Sequence, residues 1–118
     1  MSTISDIAEQ LRAALATVDG LRAYIEGTGQ PTPPAAVVGL PTLTWAGIGS
    51  DPTRASWPIT IVTGLDNRAA EQLWSFVPLA ADALDTVRDA VVSTATPVAM
   101  AVGGADLPAY QLIVETEL

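Results

Sequence analysis

Residues 57–87 read WPITIVTGLDNRAAEQLWSFVPLAADALDTV, and within this stretch the apolar period changes from two to about three and a half. Trp57, Ile59, Ile61 and Thr63 alternate with Pro58, Thr60 and Val62, the pattern of a strand whose second face is partly covered. Leu65-Asp66-Asn67 reads as a turn that caps a helix, and from Ala69 the apolar positions run Leu73, Phe76, Val77, Ala80, Leu84, Val87 and Val91. Pro78 removes one backbone donor and crowds the preceding turn, so residues 67–92 are expected to form two helical segments or one kinked helix.

Upstream, Ile4, Ile7, Ala8, Leu11, Ala14, Leu15 and Val18 put one apolar stripe on a helix over 3–18. Thr3 is its expected N-cap, Asp6 suits the positive end of its dipole, and Asp19-Gly20 ends it. Short strands follow over 21–25 and 35–38, the second extending past Pro41 through Leu43 and Trp45. Between them, the prolines and glycines of 27–34 leave too few amide donors for regular structure. Residues 46–56 read as a long hairpin loop. Downstream, 94–102 and 109–117 form two strands around a turn with Gly103, Gly104, Asp106 and Pro108. The last strand alternates Tyr110, Leu112 and Val114 against Gln111, Ile113 and Glu115. The expected fold is α+β in a single domain over 1–118: an antiparallel sheet of four or five strands with helices packed on one face, in the order α-β-β-β-α-α-β-β.

Composition narrows the function more than any motif does. The 118 residues contain no His, Cys or Lys, and thirteen carboxylates face five arginines, for a formal charge of −8. Cys or Lys nucleophiles and a Ser-His-Asp relay are excluded, and a zinc site lacks its usual ligands. Phosphate gripping needs clustered basic residues, whereas these arginines are scattered. Proline and glycine interrupt the uncharged stretches before they reach the roughly 20 residues of a spanning helix. The N-terminus lacks the basic and apolar regions of a signal peptide, so a soluble protein made in the cytoplasm is expected. With 49% hydrophobic residues in so small a chain, either a subunit interface or coding bias accounts for the excess.

Few constellations could carry chemistry. Asp82, Asp85 and Asp89, with Arg88 adjacent, have the spacing of one helical face, and a solvated stripe accounts for them better than a cation site. Glu115 and Glu117 share a strand face like a glycosidase pair, but no aromatic-lined cleft accompanies them in sequence. Gly47-Ile48-Gly49 and Gly103-Gly104 lack phosphate-loop spacing and read as turns. Trp45, Trp57 and Trp74 read as core or interface anchors, with Trp57 and Trp74 placed in the core. No catalytic residue, cofactor or metal is expected.

Five segments taken in order resemble the tail terminator proteins of long-tailed phages that infect actinobacteria. They are the helix ending in Val18-Asp19-Gly20-Leu21-Arg22-Ala23-Tyr24, then Pro33-Pro34-Ala35-Ala36-Val37-Val38, Trp57-Pro58-Ile59-Thr60-Ile61-Val62, Leu65-Asp66-Asn67-Arg68-Ala69-Ala70, and Ala109-Tyr110-Gln111-Leu112-Ile113-Val114-Glu115. The missing lysines and abundant Ala and Val also suit a GC-rich host. The resemblance implies a non-enzymatic virion protein at the head-proximal end of the tail, assembling as a homo-hexameric ring. Its implied partners are the tail tube protein, whose polymerisation it stops, and a head-neck connector protein. DNA would pass through the ring without specific binding, and no membrane is involved.

On this reading the 27–34 and 46–56 loops are the contact arms, because long ordered loops in a compact domain are usually functional. The interface candidates are Gln30, Trp45, Ile48, Asp51, Arg54 and Arg68, with Arg54 either reaching a neighbouring subunit's carboxylate or simply solvated. The rival readings are another neck ring component (a head-closure or head-tail connector protein), a carboxylate-dependent hydrolase and a monomeric binding module.

Overall fold

The computed structural model describes residues 4–27, 29–47, 49, 51–64 and 67–118. Its elements are α1 (Ile4–Leu15), β1 (Arg22–Ile25), β2 (Ala35–Val38), β3 (Thr42–Thr44), β4 (Arg54–Val62), α2 (Ala69–Leu84), β5 (Ala90–Val102) and β6 (Ala105–Glu117). The fold is α+β, as expected, but among the described residues the sheet has six strands rather than four or five, and one helix, α2, stands where two segments or one kinked helix were expected. The strand order is β1-β2-β4-β6-β5, with β3 also paired to β4.

Every strand pair is antiparallel except β1–β2, which is parallel with Arg22 opposite Ala35 and Ile25 opposite Val38. The proline-rich connection between these two strands explains the exception. Instead of reversing in a tight turn, residues 26–34 travel back to the start of β1 before re-entering the sheet, and Arg22 N–H donates to the Pro34 carbonyl at 3.2 Å.

Strands β2 and β3 lie end to end along β4, so the expected extension past Pro41 is a separate strand. Pro58 tolerates its central position because of this break. Its carbonyl accepts from Gly39 N–H at 2.8 Å, so its missing donor also faces the gap between β2 and β3. Gly39 has no room for a side chain: a Cβ there would stand 2.9 Å from the Pro58 carbonyl oxygen.

Both helices pack on one face of the sheet, as expected, over Ala36, Val38, Ala55, Trp57, Ile59, Ile61, Leu112 and Val114. From α1 they bury Ile7, Leu11 and Leu15, and from α2 Leu73, Ala80 and Leu84. The other face carries a smaller cluster of Ala35, Val62, Leu107 and Ala109, against which Tyr24, Val98, Met100 and Val102 pack. The 26–34 connection lies on that side, since Thr32 N–H donates to the Tyr24 hydroxyl at 3.4 Å. The 13-residue strands β5 and β6 extend beyond the end of β4 and join through Gly103-Gly104. Both glycines have positive φ, 60° and 85°, as a two-residue type I′ turn requires.

Element boundaries depart from expectation where local hydrogen bonds override the apolar period. Pro78 does not divide α2; it is exposed, so water can satisfy the carbonyl that loses its donor. The helix nevertheless stops at Leu84, not at 92, and Val91 belongs to β5. Strands β4, β5 and β6 begin at Arg54, Ala90 and Ala105, earlier than the expected 57, 94 and 109, because each ladder continues to those pairs.

The two helices end alike. In Ala14-Leu15-Ala16-Thr17-Val18-Asp19-Gly20, the Thr17 hydroxyl donates to the Ala14 carbonyl at 2.6 Å, and Val18 N–H to Leu15. In Ala83-Leu84-Asp85-Thr86-Val87-Arg88-Asp89, Thr86 bonds Ala83 at 2.6 Å and Val87 N–H bonds Leu84. The threonine hydroxyl takes the carbonyl that the next helical turn would need. A positive φ then turns the chain away, 81° at Gly20 and 63° at Asp89. The expected cap at Thr3 and most of the Leu65-Asp66-Asn67 turn lie outside the described residues. At the start of α2, Arg68 holds the cap position and its side chain makes no capping bond.

Candidate assembly surfaces

The sheet has one long open edge, β5, and its helix side is left bare beyond Val92. Ladder pairing puts Ala95, Pro97, Ala99 and Ala101 on the same side as Leu112 and Tyr110, and all four are exposed. Trp74 borders this shelf from α2, with its indole Nε1–H donating to the Tyr110 hydroxyl at 3.3 Å, and Tyr110 pairs with Pro97. Trp74 is 62% exposed, which corrects the expectation of a core tryptophan: it sits where the helix layer ends, and no element among the described residues covers it. Long edge strands normally carry charge to prevent association, yet β5 has none, and Val91 at its start is also exposed.

The opposite side of the sheet shows a second exposed apolar group. Leu40 follows β2 and is 73% exposed, while Trp45 follows β3 and is 49% exposed. Trp45, Asp51 and Arg54 come together at one end, around the β3–β4 connection, whose base is closed by Thr53 N–H donating to the Thr44 carbonyl at 2.8 Å. The 46–56 loop is therefore shorter than expected, because Arg54 already belongs to β4.

Gln30 and Arg68 lie towards the other end. The Gln30 amide packs at the β5–β6 turn, where its Nε2 is 2.8 Å from the place a Cβ on Gly103 would occupy. Thus the 27–34 loop leans on its own chain at that point. Arg68 begins α2 after β4 has run its length, and its carbonyl accepts from Gln72 N–H at 2.8 Å. Ile48 lies outside the described residues.

The carboxylate groupings gain no catalytic geometry. An open cleft is lined by Arg54, Asp89, Val91, Glu115, Thr116 and Glu117, without an aromatic wall. Arg54 stands opposite Glu117 in the ladder, and Glu115 opposite Val91. Asp82 is on α2, but Asp85 and Asp89 follow its last residue, so the expected helical stripe of three carboxylates is broken. Among the described residues no group of three or more acidic side chains is placed to hold a metal, and no helix is long and apolar enough to cross a membrane.

Sequence reasoning missed the β5 edge, Trp74 and Leu40. The signal was present as the charge-free runs of the chain, which read equally well as buried strands. Comparison with known protein families and with curated proteins gives no match, so any functional reading rests on these residues and this fold.

Proposed function

We infer that this chain is a tail-terminator-type subunit of a long-tailed phage: a ring that caps the head-proximal end of the tail tube, ends tube polymerisation and offers a surface to the neck. The supporting observation is the open, uncharged β5 edge with Trp74 beside it, on a subunit whose formal charge is −8. Such an edge invites association, and a subunit of an assembly uses it for that. The acidic balance suits a wall past which DNA slides, since like charge prevents adhesion. Chemistry has no part in this reading, and His, Cys and Lys are missing from the chain.

The test is electron microscopy of tails assembled with and without the protein. Overlong tubes in its absence are the expected result. Tubes of normal length that lack heads would transfer the chain to the neck connectors and refute the capping role.

A further inference from the structure

The ring reading requires a contact that repeats from copy to copy, and the distribution of charge on the sheet indicates where it lies. Residues 27–50 and 90–105 contain no Asp, Glu, Lys or Arg, so all thirteen carboxylates and five arginines lie elsewhere. The strands of the two runs lie on opposite sides of the sheet, although Gln30 of the first reaches the β5–β6 turn. One supplies β5, and the other supplies β2, β3 and the connection with Leu40.

Identical copies at −8 repel wherever charged surfaces meet and approach at least cost where both surfaces are neutral. Trp74 stands beside the β5 run, and Leu40 and Trp45 belong to the other, whose nearby charges are Glu26, accepting from Leu40 N–H at 3.2 Å, and Asp51 and Arg54 close to Trp45 in the chain. Because the two sides differ, a contact between them is heterologous, and it can be repeated until a ring closes.

We propose that the β5 edge and Trp74 of one copy pack against the Leu40–Trp45 side of a second copy, head to tail. This assignment rests on the ring reading and specifies its interface. The contact is made by side chains rather than by continued strand pairing. A bulge between Val92 and Thr94 and the missing N–H of Pro97 interrupt the outward row of backbone groups on β5.

The absence of native cysteine makes cross-linking specific. In the concentrated full-length protein, Thr94→Cys and Thr42→Cys combined in one chain, both at exposed positions, should give a ladder of dimers, trimers and larger species with a short bismaleimide. Each single variant should stay monomeric under the same treatment. Efficient dimers from Thr94→Cys alone would show β5 meeting β5 and overturn the proposal, as would a double variant without a ladder. Ala99→Glu, placing charge on exposed β5, should reduce laddering at least tenfold, whereas Leu79→Glu on the exposed side of α2 should not. Equal effects of the two would also overturn it. Tube length distinguishes this inference from the capping role: a ladder from a protein that leaves tube length unaltered keeps the interface and removes the cap. Full capping by Ala99→Glu keeps the cap and removes the interface.

Discussion

Trp57 and Trp74 stand on the same side of the same sheet, and each donates its indole N–H to a hydroxyl of β6. Trp57 reaches Thr116 at 2.9 Å, and Trp74 reaches Tyr110 at 3.3 Å. One is 1% exposed and the other 62%. Trp57 lies in a strand flanked on both sides and covered by both helices, whereas Trp74 projects from the covering layer itself, where the sheet continues but the layer does not. The contrast locates the boundary of the self-sufficient fold. Inside it an indole holds the fold together, and outside it a similar indole bond lies open to solvent, on the surface proposed to meet a second copy.

The most severe way to break this comparison is Trp57→Ala. It should destabilise the protein by about 3–5 kcal/mol in urea unfolding, because it opens a cavity in the largest cluster. Thr116→Val keeps the packing but leaves the buried Trp57 N–H without an acceptor, and a loss of about 1–3 kcal/mol is expected in the same measurement. Trp74→Ala should cost less than about 1 kcal/mol, as exposed positions do, yet lower the yield of the cross-linked ladder. A large stability loss would instead make Trp74 a structural residue and remove the contrast.

The smallest effect should come from acid acting on the exposed Glu9–Arg12 pair of α1. The hydrogen bond from Arg12, supported by its charge, holds Glu9 below its usual value of 4.5. A carboxylate depressed in the folded state contributes stability above its unfolded pKa and loses it as pH falls through the folded one. Lying at the surface, the pair should leave the emission of the buried Trp57 and the exposed Trp74 unchanged across that window.

Much of the fold was legible where the determining contacts repeat with a simple period. The alternation in β4 and β6 survives intact: Trp57, Ile59 and Ile61 face the helices beside Leu112 and Val114. The stop of α1 was legible only to within a turn: Gly20 announces it, but the helix ends at Leu15 rather than at 18, where the Thr17 hydroxyl takes the Ala14 carbonyl. The stop of α2 was not, since Asp89 takes the left-handed conformation in glycine's place and Leu84, Val87 and Val91 keep a helical spacing into the next strand. The parallel β1–β2 pair escaped notice because the path of the 26–34 connection, rather than the strands themselves, sets its direction. At the candidate surface, Gln30, Trp45, Asp51, Arg54 and Arg68 came from loops and a helix start, and the structure divides them between two ends. Burial of Trp74 depended on where α2 ends its cover of the sheet, which no local pattern encodes.

The paired helix endings also bear on how this chain reaches its fold. Each threonine bond in them spans three residues, whereas the Trp57–Thr116 bond that anchors the sheet spans 59. Contacts so close in sequence close rapidly, and long-range strand pairs must wait for slow chain searches. The stops of α1 and α2 are thus written locally, by one phrase used twice. Helices of 12 and 16 residues are marginal alone, so they persist only as the central strands pack against them.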